Sequence, residues 1–380
     1  MNALDFALRA GRRSGDSFTY PGATNVTAAY RNRVRTNWTT KDEIIVGDST
    51  TAGFGSGTSG GWTGSYAKAP PRVLAELQEA RSLVAANDSW FGDGGGGTVA
   101  VFGVINPANV VGASWAISNN PAPTARGLFL YDNSGTDLMT YTSIKPCTGF
   151  LVHYRRTTGS FSVQIDSETA QTWDMTATFG GVTGSEIQRR LITASGTGIH
   201  ALKINRISGE GLIAGVEAIA PTDRKDVINL GWSGARAADW VNNVLPTAPL
   251  GALGTIVAAR TAPLCLISLG INDQNGGRTD VQYGADLVTI GNRIIASGGI
   301  PLVVVQQPTN TTPSEAYAAA ARAAAVTLGC ACFDLRPSMG TWAQMGAKGW
   351  TYGDSSHLSF TGSAAVAASY DSFLAALVGG

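Results

Sequence analysis

The chain has 380 residues, enough for two domains of ordinary size, and its 44% hydrophobic against 14% charged residues supply a packed core and exclude wholesale disorder. Lys+Arg and Asp+Glu both number 27, so the net charge is zero and nothing suggests a phosphate-tracking surface; nucleic acid is a poor partner class. The four cysteines, at positions 147, 265, 330 and 332, make no CxxC pair and no ligand-spaced Cys/His set, so they read as buried free thiols and not as a zinc site.

Residues 1–40 are polar, Arg-dotted and turn-rich, and read as an N-terminal arm packed against something else. An oligomerisation element, an attachment element and a strap over a sheet all fit this arm. Its opening MNALDFALRAGRRSGDS lacks the apolar h-region of a secretory signal, and no apolar run approaches the roughly 18 residues that span a bilayer. A soluble chain is expected, with no membrane partner; release by lysis, assembly into a phage particle and export by another route stay open, as does the oligomeric state.

Residues 43–47, EIIVG, form a short apolar strand ending at glycine. A polar loop follows, and Gly53, Gly55, Gly57, Gly60 and Gly61 suggest an open or mobile rim. Residues 71–86, with Pro near the start and apolar positions at helical spacing, predict a helix. Residues 88–221 break the pattern. After the loop signal NDSWFGDGGGG come strand-like runs: TVAVFGVI, GLFLYD, FLVHYRR, FSVQID, ALKINRI and LIAGVEAI. Several alternate with period two, as antiparallel sandwich strands do. Buried-type strands then resume at 226–230, 264–269, 301–306 and 331–335, with helix-like segments near 281–297, 314–328 and 361–377. Short apolar strands alternating with helices imply a parallel sheet covered on both faces. The expected fold is α/β: a three-layer α/β/α domain of flavodoxin-like type from 41–87 and 222–380, with an antiparallel β-sandwich inserted at 88–221.

Four polar segments follow apolar strands or precede the last helix, where an open parallel sheet forms its ligand crevice. Gly47-Asp48-Ser49-Thr50 allows a sharp turn that exposes the Ser49 hydroxyl, although a Ser/Thr helix cap would look the same. Gly231-Trp232-Ser233-Gly234 reads as a turn whose glycine backbone N–H could face the pocket. Gly270-Ile271-Asn272-Asp273 places a side-chain amide at a strand end, where it can donate to a developing oxyanion or simply cap a helix. Asp354-Ser355-Ser356-His357 brings a carboxylate within reach of an imidazole if it makes one helical turn. The other histidines, His153 and His200, fall in predicted strands, where packing or surface roles are expected.

In order and position these segments resemble blocks I, II, III and V of the SGNH (GDSL-like) hydrolases. The resemblance covers 41–87 and 222–380. It implies a serine esterase with Ser49 as nucleophile, His357 as general base and then acid, and Asp354 orienting His357. It also implies an oxyanion hole from the backbone N–H groups of Ser49 and Gly234 and the side chain of Asn272, with Gly231 the weaker alternative to Gly234. No metal or organic cofactor is implied. Thr50 stands where the GDSL name has Leu, and blocks I and II, ordinarily close in sequence, are separated by the insert.

The insert carries Trp90, Trp115, Trp173, Tyr131, Tyr141 and Tyr154, which either fill a core or form stacking platforms for sugar rings, so the insert is a candidate carbohydrate-binding module. A β-sandwich beside such a site is similar to accessory modules of carbohydrate esterases and to esterase modules of phage tail proteins. By that analogy the expected substrate is an O-acylated, above all O-acetylated, polysaccharide. A lipase or thioesterase on the same triad, and a virion glycan-binding protein with a vestigial site, are the competing readings.

Overall fold

A computed structural model describes residues 27–54, 69–91, 110–111, 115–117, 130–132, 137–177, 187–221, 224–241, 249–310 and 314–379, apart from residues 37, 82, 84, 87, 157 and 210. The arm contributes helix α1 (Ala28–Arg35), capped by the Thr27 hydroxyl. Strand β1 (Glu43–Gly47) leads into the short helix α2 (Ser49–Ala52), then α3 (Pro70–Ala80). Here the structure shortens the expected helix: it stops at Ala80, and Ala85–Ala86 form a two-residue strand, β2.

The β region follows with β3 (Ser89–Phe91), β4 (Val110–Val111), β5 (Trp115–Ile117), β6 (Leu130–Asp132), β7 (Leu138–Thr142) and β8 (Cys147–Arg155). Then come β9 (Ser160–Ile165), β10 (Gln171–Asp174), β11 (Ile187–Gly198), β12 (Ala201–Ser208) and β13 (Gly211–Ile219). The expected strand TVAVFGVI and residues 55–61 of the glycine rim lie outside the described residues.

The α/β alternation resumes with β14 (Lys225–Gly231), α4 (Ala237–Val241), α5 (Pro249–Ala258), β15 (Leu264–Ser268), α6 (Ile271–Asn275), α7 (Asp280–Ala296) and β16 (Ile300–Val305). It ends with α8 (Glu315–Leu328), β17 (Ala331–Asp334), α9 (Arg336–Met339), α10 (Trp342–Ala347) and α11 (Phe360–Gly379). The parallel sheet runs β17-β16-β15-β1-β14-β2. Without the short β2 this is the 2-1-3-4-5 order of flavodoxin-like sheets, whose crevice opens at the strand C-termini beside the first strand.

Strands buried along their whole length need cover on both faces. Helices α1, α3 and α11 pack together on one side, and α5, α7 and α8 on the other. The arm is therefore, over its described part, a strap: Tyr30 and Val34 join the main core, and the Tyr30 hydroxyl donates to the Pro301 carbonyl at 2.8 Å. All four cysteines are buried free thiols.

In the β region a five-stranded sheet, β10-β9-β12-β7-β4, and a second antiparallel sheet, β11-β8-β13-β6-β5 with β3 beside β13, share one core. Phe161, Val163, Leu202 and Ile204 meet Phe150, Val152, Ile192 and Val216 there. Trp115, Trp173, Tyr141 and Tyr154 are all at most 2% exposed within it. These four aromatics fill the sandwich and are not stacking platforms; the side chains of Trp90 and Tyr131 lie outside the described residues.

Candidate functional site

Strands β1 and β14 end in register at Gly47 and Gly231. A Cβ on Gly231 would stand 2.1 Å from the Ala52 nitrogen, and one on Gly47 would stand 1.9 Å from Thr51 Oγ1. Only glycine at both positions lets α2 begin hard against the sheet edge, which puts Ser49 at the mouth of the crevice. Asp48 closes the turn. Its Oδ1 accepts the Thr50 N–H at 2.9 Å and its Oδ2 accepts from Gln306 Nε2 at 2.9 Å. Burial pushes the Asp48 pKa up, and the hydrogen bonds from Gln306 and Thr50 work against that rise.

Ser49 Oγ lies 2.8 Å from His357 Nε2, and His357 Nδ1 lies 2.6 Å from Asp354 Oδ2. With Nδ1 protonated toward the carboxylate, Nε2 is left to accept the serine proton. The other oxygen, Asp354 Oδ1, accepts the backbone N–H groups of Ser356 (2.9 Å) and His357 (2.8 Å). These bonds replace the helical turn expected from the sequence; residues 353–356 form a bend. Partial burial alone would raise the Asp354 pKa, but the His357 and Ser356 N–H groups and the imidazole outweigh it and hold the carboxyl below its ordinary value. The Phe54 ring packs 4.4 Å from the imidazole, centroid to centroid. Tyr352 N–H donates to the His357 carbonyl at 2.8 Å, and Asn310 N–H to that of Ser355 at 3.2 Å, so the loop is held from both sides.

Across the crevice, Asn272 Nδ2 donates to the Ala235 carbonyl at 3.1 Å. That bond uses one of its two N–H groups and fixes the amide beside the Gly234 turn. Gly234 has φ +75°, a conformation glycine adopts without strain, and it is exposed to solvent. The Gly231 N–H donates to Asn229 Oδ1 at 2.8 Å and is thereby occupied. Asp273, next to Asn272, accepts the N–H groups of Ala237 (2.8 Å) and Ala238 (3.4 Å) and so caps α4 from outside; burial pushes its pKa up to about 6.

The structure thus brings Ser49, His357 and Asp354 into one hydrogen-bonded line and places Asn272 and Gly234 on neighbouring loops of the same sheet edge. His153 and His200 stay in the β region. His153 is fully buried against Glu217, and burial keeps it far below its usual pKa. His200 lies in the turn between β11 and β12, not within a strand, 2.7 Å from Asp166 through Nδ1.

Sequence reasoning missed Gln306. Its Oε1 accepts the Ile271 N–H at 2.9 Å, while its Nε2 donates to Asp48 and to the Ser268 carbonyl at 3.1 Å. One buried amide therefore ties the serine turn to the helix carrying Asn272. The available signal was a polar residue directly after the apolar run PLVVV. Among the described residues no group of three His, Cys, Asp or Glu side chains is placed to hold a metal ion. No helix there is long and apolar enough to cross a membrane.

The profile of the GDSL-like lipase/acylhydrolase family matches residues 192–365, a span holding Gly234, Asn272, Asp354 and His357. Over this span the chain is similar to the GDSL-like lipase/acylhydrolase family. The matched span starts inside the β region and leaves out Ser49, so the connection of Ser49 to the rest is a matter of geometry. No curated protein matches the chain. Among solved structures, a peptidoglycan O-acetylesterase is similar at 16% identity and a TM-score of 0.58, over 96% of this chain and 97% of that one. That likeness, which spans the β region, shows a common fold. A family two carbohydrate esterase from Cellvibrio japonicus matches at 11% identity and a TM-score of 0.31, over 77% of this chain and 98% of that one. A carbohydrate esterase family 2 enzyme with a carbohydrate-binding domain, from Corynascus thermopiles (Myceliophthora fergusii), matches at 12% and 0.30, over 69% and 98%. The matched family is one of acylhydrolases, so the likeness points, at family level, to ester hydrolysis.

Proposed function

We propose that this protein is a serine esterase that removes short acyl groups, O-acetyl above all, from a polysaccharide. The observation that carries the reading is the unbroken line from Ser49 Oγ through both His357 nitrogens to Asp354. Ser49 Oγ attacks the ester carbonyl carbon as its proton passes to Nε2, and Asp354 stabilises the resulting imidazolium. The oxyanion is held by the Ser49 and Gly234 backbone N–H groups and by the second N–H of Asn272 Nδ2, the one not bound to Ala235. The imidazolium protonates the departing sugar oxygen, leaving an acyl-serine. Water, deprotonated by the same imidazole, then attacks this acyl-serine, releasing the carboxylic acid and restoring the Ser49 hydroxyl.

Two features support a polymer-bound ester. Ser49 itself is buried, but Asp354 and Gly234 beside it are both exposed, so its crevice opens to the surface, where a chain can lie across it. The fold also matches, end to end, that of a protein acting as a peptidoglycan O-acetylesterase. The test is hydrolysis of p-nitrophenyl acetate, octanoate and palmitate by wild type and Ser49→Ala. Acetate release is measured in parallel from O-acetylated peptidoglycan, acetylated xylan and acetylated glucomannan. The expected result is acetate cleavage on the small ester and on at least one polymer, abolished in Ser49→Ala. Preference for palmitate with no polymer deacetylated would refute the substrate class. Full activity in Ser49→Ala would refute the mechanism.

A further inference from the structure

A second cleft opens on the same sheet edge, beyond the histidine. It measures about 590 Å³ and lies between the loop after β16 and the segment that follows β17. The loop after β16 is shared with the site described above. Gln306 holds Asp48, Gln307 Nε2 reaches Thr50 Oγ1 at 3.4 Å, and the Asn310 N–H holds the carbonyl of Ser355, two residues before His357. Pro308, Thr309 and Asn310 then form one wall of the cleft, and Thr341, Trp342 and Gln344 contribute to the other.

The lining has a definite chemistry. Trp342 packs partly on the main core and is half-buried, so its indole is braced from behind while part of it remains open. Around it stand the exposed side-chain amide of Asn310 and the polar groups of Thr309 and Gln344. Arg336 is the one charged side chain in the lining among the described residues, and it is already matched. Its Nε and Nη2 donate to Asp334 at 2.9 and 2.6 Å, and its Nη1 donates to Glu315 at 3.0 Å. Asp334 and Glu315 also pair with Arg322, so two cations balance two carboxylates. A cleft with a braced aromatic face, amides and hydroxyls, and a balanced ion-pair cluster favours an uncharged polyol over a phosphate or carboxylate.

We propose that the Trp342 cleft is a glycan subsite, which seats a neutral pyranose ring of the polysaccharide whose ester lies at Ser49. The assignment rests on the polysaccharide-esterase reading above. The ring stacks an apolar face on Trp342 and hydrogen-bonds Asn310 through its hydroxyls. It thereby holds the chain on the His357 side of the reacting ester.

The experiment compares Trp342→Ala, Trp342→Phe and the exposed-site variant Asn310→Ala on p-nitrophenyl acetate and on whichever acetylated polymer wild type deacetylates best. Thermal melts verify that each variant is folded. The stacking energy predicts that Trp342→Ala raises KM for the polymer about tenfold more than for the small ester, and that Trp342→Phe restores most of it. Loss of one hydrogen bond predicts a polymer-selective rise of roughly threefold to tenfold for Asn310→Ala. Losses equal on both substrates, or a polymer KM untouched in folded Trp342→Ala and Asn310→Ala, would overturn the subsite while leaving the esterase reading standing. A wild type that cleaves p-nitrophenyl acetate but deacetylates no polymer would overturn both the substrate class and the subsite.

Discussion

Replacing Asp354 by Asn should damage the enzyme more than replacing it by Ala, and the reason lies in which oxygen does what. Asp354 Oδ1 accepts two backbone N–H groups and Oδ2 accepts the imidazole. In Asp354→Asn the amide oxygen belongs at the Oδ1 position, because turning the amide over would face its NH2 toward two N–H donors. Two hydrogen bonds at about 1 kcal/mol each favour that orientation by about 2 kcal/mol, roughly thirtyfold. The NH2 then points at His357 Nδ1 and holds the tautomer with Nε2 protonated, which cannot accept the serine proton. In the serine-protease case the corresponding Asp→Asn change costs about 10⁴-fold in kcat. Here the Asp354 side chain is 38% exposed and water can compete for the imidazole, so a loss of roughly 10²- to 10⁴-fold is expected. In Asp354→Ala water accepts the Nδ1–H hydrogen bond, the productive tautomer stays accessible, and the loss should be nearer 10- to 10²-fold. The assay is kcat/KM for p-nitrophenyl acetate across wild type and both variants. Asp354→Asn equal to or faster than Asp354→Ala would show that tautomer control at His357 is not what Asp354 provides.

Two further outcomes follow from buried charge. Burial raises the Asp273 pKa to about 6 in the folded chain, against an unfolded carboxyl near 4. Its contribution to stability is therefore complete below about pH 4 and is lost as pH rises toward 6, by about 3 kcal/mol at most. Asp273→Asn should flatten the fall in urea midpoint between pH 4 and 6, leaving the same-signed contribution of buried Asp371 in place; an unchanged pH slope would contradict the assignment. Lys225 and Glu43 form a fully buried ion pair at 2.6 Å, with Gln78 Nε2 on both Glu43 oxygens and the Lys225 ammonium 3.8 Å from the Trp38 ring centroid. Lys225→Met should cost about 3–5 kcal/mol in urea unfolding, and adding Glu43→Gln should recover about half of it; a double variant no more stable than the single one would show that the stranded carboxylate is not the source of the loss.

The parts of the fold that the sequence displayed are those where local pattern and tertiary role coincide. EIIVG, LCLIS and PLVVV are apolar along their length because both sheet faces are covered, and each forms a strand within a residue of its expected bounds. The helix expected to run to residue 86 stops at Ala80, because Ala85 and Ala86 add a strand beside Lys225 and Asp226, a pairing no local signal announces. Helix α1 was hidden for the opposite reason. Only Tyr30 and Val34 of its eight residues are buried, a stripe too thin to stand out among arginines. At the site, Ser49, Asn272 and His357 were legible as short motifs. Gln306 was not, since it acts through three distant partners, the Ile271 N–H, the Ser268 carbonyl and the Asp48 carboxylate, and belongs to no motif of its own.

The separation of Ser49 from the other site segments is where pattern alone was weakest, and the contacts explain how the interrupted chain stays one unit. The inserted sheets do not hang from a linker. Glu217 on β13 receives both His153 and Arg260, the second from the segment between α5 and β15. Arg260 also reaches Asp42, one residue before β1, at 3.1 Å. Arg189 on β11 donates to the Thr255 carbonyl of α5 at 3.0 Å. Removing one member of such a buried set strands the others without water, so the set resists separation of the two parts even where each pair adds little net stability. The segment that divides the serine from its partners in sequence is thus fastened to the residue just before the serine's own strand. An insertion of this length can therefore interrupt the sheet's chain order without loosening the line from Ser49 to Asp354.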